Sequence, residues 1–184
     1  MPIIRQKPTK EDLADAVNRT VPDLIAPDLK VLFCGINPGL YSGATGLHFA
    51  RPGNRFWKVL HLAGFTERQL DPSEENELLA SGYGITCFVD RTTARADELS
   101  KEEFEEGGKR LVEKIERYRP KALGVVGIGA YRTAFARPRA VVGPQEETIA
   151  ATRVWLLPNP SGLNANYQLA QFVELFSQLR AAVK

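Results

Sequence analysis

Hydrophobic residues in this chain fall into two patterns. Four short runs are apolar almost throughout: Val31–Ile36 (VLFCGI), Gly84–Val89 (GITCFV), Ala122–Val126 (ALGVV) and Val154–Leu157 (VWLL). Runs so short and so apolar predict strands buried on both faces. Between them apolar residues recur every three or four positions, the spacing of amphipathic helices. Asn54 caps one such helix, which carries Phe56, Trp57, Val59, Leu60 and Ala63 and stops at Gly64. Asp71, Pro72 and Glu74 supply an N-cap, a first-turn proline and a capping carboxylate for a helix to about Ala80. Ser100 and Glu103 form a capping box. The helix it opens carries Phe104, Gly108, Leu111, Val112, Ile115 and Tyr118 on one face and ends before Pro120. Further helices are predicted over Ile128–Ala136 and from Tyr167 to about Val183, and a hairpin or irregular strand over 141–151.

Alternating strands and helices predict an α/β fold whose parallel sheet is covered on both faces. Right-handed crossovers place the carboxyl ends of the strands along one edge, where such sheets bind ligands. Residues 1–26 stand apart. Thr9 to Asp12 can cap a short helix through Ala16, and the segment is expected to be a loosely attached N-terminal arm. Residues 27–184 form the single domain that the length allows.

The edge rule reduces the search for function to a few loops. Asn37-Pro38-Gly39 follows the first strand, and Asn159-Pro160-Ser161-Gly162-Leu163 follows the last. One Asn-Pro-Gly is a turn and nothing more. Two related loops facing one crevice are a constellation. Asp90 follows the second strand. Gly127-Ile128-Gly129 follows the third, without the remainder of a dinucleotide fingerprint and without a phosphate-loop lysine. There is no HExxH or GxSxG motif and no pair of cysteines with metal spacing. His61 falls inside a predicted helix, whereas His48 lies in a loop and is a candidate ligand contact. The crevice must work with amides, one carboxylate, backbone N–H groups and aromatics. An amide oxygen is a poor base but can aim a water. That set suits cleavage driven by departure of a leaving group, as in glycosidic hydrolysis through an oxocarbenium-like sugar.

Composition adds little to this. Hydrophobic content of 43% and charged content of 25% are those of an ordinary globular protein. No apolar run reaches the length of a membrane span, and the first residues lack the apolar core of a signal peptide. Cys34 and Cys87 lie inside apolar runs and read as buried free thiols of a reducing cytoplasm. The net charge is +2, but its distribution is uneven. Acidic residues crowd 97–116. From Arg117 to Gln145 there are none, while Arg117, Arg119, Lys121, Arg132, Arg137 and Arg139 are basic. Two solvated faces explain this, and so does a polyanion partner.

Four motifs carry a family resemblance: GINPG at 35–39, FARPGNRFWKVLHLAGF at 49–65, GITCFVDRTT at 84–93 and NPSGL at 159–163. In order and spacing the chain from about Ala26 to about Leu179 resembles the mismatch-specific uracil/thymine DNA glycosylases. The resemblance implies a three-layer α/β/α fold of the uracil-DNA glycosylase type, with a small, mainly parallel sheet. It implies hydrolytic removal of uracil, and of thymine or modified pyrimidines, from mispairs with guanine in double-stranded DNA. It implies no cofactor, and a monomer. Asn37 would position the attacking water. Ile36, Gly39 and Asn159 would hold the flipped pyrimidine, and Phe49 would stack on it. Ser161 would touch a phosphate, with Gly162 and Leu163 entering the vacated gap. Asp90 would assist the water or steady the sugar cation; its alternative is a structural pairing with Arg91. The chain departs from the family pattern at Cys87, at Ile128 and at Asn164–Ala165, where polar or basic residues are frequent.

Each role has a physical basis. A base inside a duplex is out of reach until it is turned out, which costs less at a mispair. A wedge such as Leu163 can hold the gap. An aromatic face is worth about 1–3 kcal/mol to an extruded base. No lysine in these motifs is set as a Schiff-base nucleophile, so hydrolysis without strand cleavage is expected. The rival readings are a catalytically weak mispair-binding module and a hydrolase of free nucleosides.

Overall fold

The structure is a computed structural model that describes residues 6–184. The first five residues of the expected arm lie outside the described residues. The order of elements is α1 (Lys10–Asp15), β1 (Val31–Gly35), α2 (Leu40–Thr45), α3 (Phe56–Leu62), α4 (Glu75–Ala80), β2 (Tyr83–Cys87), α5 (Lys101–Tyr118), β3 (Ala122–Val126), α6 (Ile128–Ala134), β4 (Gly143–Ile149), β5 (Thr152–Leu157) and α7 (Leu169–Ala182). The strands form one sheet in the order β2-β1-β3-β5-β4. Only β4 runs antiparallel, paired with β5 through a register shift between Pro144 and Thr148. It is the hairpin partner expected near 141–151.

Strand alternation builds two cores. Val31 and Phe33 of β1 face a cluster with α3 and α7, where Phe56, Leu60, Phe172 and Phe176 are wholly buried. Leu32 and Cys34 face the opposite cluster, with Leu111 and Ile115 of α5. One five-residue strand thus serves both faces and is apolar at every buried side chain for that reason. The three-layer α/β/α architecture is the one expected. The capping boxes at Asp71/Glu74 and Ser100/Glu103 form as their spacing predicts. Arg119, in the left-handed region at φ 51°, ends α5 ahead of Pro120.

Two departures concern the edge strand β2. It ends at Cys87, two residues earlier than the apolar run suggests. Phe88 and Val89 are apolar because they turn into the cluster under α5. The N-terminal segment, expected as a loose arm, is also tied to β2. Leu24 N–H donates to the Ile85 carbonyl at 2.9 Å, and Ile85 N–H to the Leu24 carbonyl at 2.8 Å. Asp23 accepts from Thr86 Oγ1 at 2.9 Å and pairs with Lys114 Nζ at 2.7 Å. Ala16, Val21 and Leu24 are buried. The cause is the unpaired ladder of an edge strand, which this segment covers.

Gly107 of α5 lies against the Phe88 carbonyl, inside the contact distance of any added Cβ. Alanine there would gain roughly 1 kcal/mol of helix propensity. Forcing a methyl into a backbone carbonyl costs about 1–3 kcal/mol. Overpacking outweighs propensity, so Gly107→Ala is expected to lower the urea midpoint. An unchanged or higher midpoint would show that α5 can move off the loop.

Candidate active site

The carboxyl ends of β1, β2 and β3 open into a cleft of about 850 Å³. Gly35, Cys87 and Val126 form its floor. Of the ten residues singled out in the sequence, Ile36, Asn37, Gly39, His48, Phe49, Asn159, Ser161 and Leu163 line it. Gly162 lies on the same loop behind the lining. The structure does not bring Asp90 into the cleft. The chain turns at Phe88 and Val89 toward α5, and Asp90 ends up exposed. It makes no hydrogen bond or ion pair among the described residues, and Arg91 pairs elsewhere.

Asn37 is the most constrained polar side chain of the cleft. Its Nδ2 donates to the Arg91 carbonyl at 3.0 Å, to Thr93 Oγ1 at 2.8 Å and to the Pro38 carbonyl at 3.2 Å. Carbonyls only accept, so nitrogen must occupy this position. Thr93 Oγ1 donates to the Arg95 carbonyl at 2.8 Å, which leaves its lone pairs for Asn37. The Asn37 Oδ1 accepts no hydrogen bond among the described residues. Its loop is zipped to the loop after β2 by a parallel bridge between Gly39 and Thr93.

Arg91 holds that second loop in place. Its guanidinium grips Glu103 of α5 with two bonds, at 2.6 and 3.1 Å, and reaches Asn18 Oδ1 at 3.2 Å. Arg91 and the Ser100 N–H together hold the Glu103 carboxyl down at about 2. The N-terminal segment joins the same knot: Asn18 N–H donates to the Thr92 carbonyl, and Thr92 Oγ1 to the Ala16 carbonyl.

Phe49 adopts φ 49°, a left-handed conformation unusual for an aromatic residue. Its ring stacks on Phe56, centroids 4.0 Å apart, and passes over Gly35. A Cβ at Gly35 would sit 3.3 Å from Phe49 Cζ and 3.4 Å from Cys87 Sγ, so glycine leaves room for the ring. Beside it, buried His48 meets Glu75 Oε2 through Nδ1 at 3.0 Å, and its carbonyl accepts from Trp57 Nε1 at 3.1 Å. His61 turns away toward the Thr66 carbonyl. Both cysteines are free, but Cys87 is only half-buried and reaches the cleft floor. Desolvation pushes its thiol up to about 12 and that of Cys34 well above the ordinary range. Neither is a thiolate nucleophile.

The loop 159–166 carries Leu163 at its tip, 75% exposed. Asn159 Oδ1 accepts from Ser161 N–H at 3.0 Å, and Ser161 Oγ accepts from Leu163 N–H at 3.2 Å. Arg55, which the sequence reading passed over, fastens this loop. Its guanidinium donates to the carbonyls of Ser161 (2.8 Å), Asn164 (2.8 Å) and Tyr167 (2.9 Å) and lies over the Phe172 ring at 4.4 Å. Its N–H donates to the Pro160 carbonyl at 2.9 Å. Gly162 approaches the Gly53 carbonyl so closely that a Cβ would come within 2.7 Å. The only sequence clue to Arg55 is its place one residue after the predicted cap.

The basic run from Arg117 to Arg139 does not face the cleft. Arg117 in the last turn of α5, and Arg119 and Lys121 in the connection to β3, lie on the opposite edge of the sheet. Arg119 pairs with Asp28 at 3.7 Å, and Arg137 with Glu147 at 2.8 Å. The cleft instead has Arg51 and the paired Arg95 and Asp97 in its lining. Among the described residues no group of three His, Cys, Asp or Glu side chains could hold a metal ion. No helix among them is long and apolar enough to cross a membrane.

A family profile described as the uracil DNA glycosylase superfamily matches residues 22–180. The chain belongs to the uracil DNA glycosylase superfamily. It is a DNA glycosylase, a DNA-repair hydrolase of the N-glycosidic bond, and DNA is its substrate. Its fold is also that of a candidate uracil DNA glycosylase from Methanosarcina acetivorans solved by solution NMR. The two share 17% identity over 89% of this chain and 99% of that one, with a TM-score of 0.59.

The Arg91–Glu103 pair sets a pH window. Glu103 is depressed in the folded protein, so its contribution is complete above its unfolded value of about 4.3. It is lost as pH falls toward about 2. Glu103→Gln is expected to flatten the difference in stability across that window, read by urea melts at stepped pH. Parallel profiles for the two proteins would rule out the pairing as an acid-sensitive support.

Proposed function

We propose that this glycosylase removes uracil, and thymine or modified pyrimidines, mispaired with guanine in duplex DNA. It acts as a monomer and begins base excision repair, in the cytoplasm of the cell. The carrying observation is the committed Nδ2 of Asn37, which leaves Oδ1 as an oriented, unoccupied acceptor in the cleft. In this reading Oδ1 accepts a hydrogen bond from a water and directs its lone pair to C1′ of the sugar. The C1′–N bond breaks as the C1′–O bond forms. The bonding electrons leave with the base, and the water's spare proton ends on the base or in solvent. Backbone groups at Ile36 and Gly39, with Asn159, hold the pyrimidine, and Phe49 stacks on it. A base that leaves with developing negative charge is favoured by the cations of the lining, Arg51 and Arg95, the latter paired with Asp97.

Leu163, exposed at the tip of a loop that Arg55 fastens, is the wedge for the emptied position, and Ser161 is its phosphate contact. A rigid tip favours insertion, because less loop entropy is lost on binding. Asp90 is given no step in this reading, because it is exposed and does not line the cleft, although it lies near enough for its charge to raise the Cys87 thiol. Nothing observed favours a binding-only module, since the amide geometry serves catalysis rather than affinity.

Single-turnover assays on duplexes with one G·U or G·T pair test the reading. Wild type is expected to release uracil and leave an uncut abasic strand. No release at micromolar enzyme would refute it. Asn37→Ala is expected to slow the chemical step by about 10²-fold or more, as loss of a positioning group does, with little change in DNA affinity. Equal losses in rate and affinity would make Asn37 a loop former only. Asp90→Asn is expected to leave the rate unchanged, and a slowed chemical step would return Asp90 to the mechanism.

A further inference from the structure

A second cavity, of about 1070 Å³, adjoins the cleft. Tyr41, Phe49, Arg51 and Asn54 line both, so these residues are a shared lip. Two cations line the second cavity with no hydrogen bond or ion pair of their side chains among the described residues: Arg51 on the lip and Lys58 on α3. Both are exposed. Its acids are engaged. Glu74 pairs with Arg68 at 2.9 Å, and Asp71 accepts from Ser73 N–H at 2.9 Å. Tyr41 adds an aromatic wall. Free cations beside an aromatic surface are the elements of a groove for single-stranded nucleic acid.

We propose that this cavity is a subsite for the nucleotide next to the flipped one, on one side of the same strand. The inference rests on the reading of the cleft as the base pocket. A flipped nucleotide stays bonded to its neighbours, so the strand must leave the cleft over its rim. At the Phe49–Arg51 lip the rim opens into a space larger than the cleft itself. Arg51 takes the phosphate joining the two nucleotides, Lys58 the following phosphate, and Tyr41 offers a face to the unstacked base. Gln6 and Pro8 complete the wall and lie outside residues 22–180, which match the superfamily. The enzyme's grip on the damaged strand is therefore lopsided.

Binding tests this without requiring base release, so failure of uracil excision would count against the base-pocket reading and not against the subsite. Duplexes carrying a tetrahydrofuran abasic analogue are prepared with the analogue strand ending zero to four nucleotides beyond it, on one side or the other, and Kd is read by fluorescence anisotropy. For wild type, the first nucleotides added on one side should tighten binding more than those on the other. In Arg51→Gln/Lys58→Gln that one-sided gain should vanish. The slope of log K against log salt should also become shallower by about 1.4–1.8, the loss of two phosphate contacts. Arg117→Gln/Lys121→Gln, on the opposite edge, removes the same charge and should leave both readings unchanged. A symmetric gain in wild type, or a one-sided gain retained in the Arg51/Lys58 variant, would overturn the proposal.

Discussion

A side-chain amide can point only one way once both its hydrogens are committed. That constraint fixes Asn37, and the surrounding structure supplies the acceptors. Two are backbone carbonyls, which cannot exchange roles with the amide, and the third is a hydroxyl whose own proton is engaged. The Arg91 carbonyl stays in place because the Arg91 side chain is clamped between α5 and the N-terminal segment. Helix, edge segment and loop thus converge on one atom that none of them touches. The cost of turning Asn37 over is the cost of leaving buried donors and acceptors unmatched, about 1–3 kcal/mol for each such group.

Electrostatic restraint is the second theme of the cleft. Its floor is made of glycine, valine and a thiol held protonated by burial. Its charged residues stand on the rim, where Arg95 is already paired with Asp97 at 3.1 Å. A neutral base enters such a pocket with little to desolvate, while the polyanionic strand stays outside with the cations.

Local signals in the chain predict their elements, and long-range ones do not. The strands at Val31 and Ala122 and the caps at Thr9, Asp71 and Ser100 depend on neighbouring residues only, and they stand where expected. The edge rule places Asn37, Asn159 and Leu163 at one cleft, because chain direction in a parallel sheet settles which loops meet, whereas Phe49, which follows α2, is marked only by the family resemblance. Asp90 failed the same rule. Its apolar neighbours Phe88 and Val89 look like strand continuation but belong to the packing under α5, which periodicity cannot reveal. Arg55 is not legible in the sequence because its partners are backbone carbonyls over a hundred residues away, and a carbonyl leaves no mark in a sequence. The basic run at 117–139 misled for a related reason. Its charges are neighbours along the chain but not one free surface: Arg119 is paired with Asp28 and Arg137 with Glu147.

The close approach of Gly162 to Gly53, with Arg55 bridging the same gap, joins two stretches that the sequence keeps far apart. They form one structural unit. A chimera that borrows the 159–166 loop from another member of the superfamily without the 49–55 loop would separate a key from its lock. Natural variation in either stretch should therefore be tolerated only in matched pairs, and a library that randomises one must randomise the other with it.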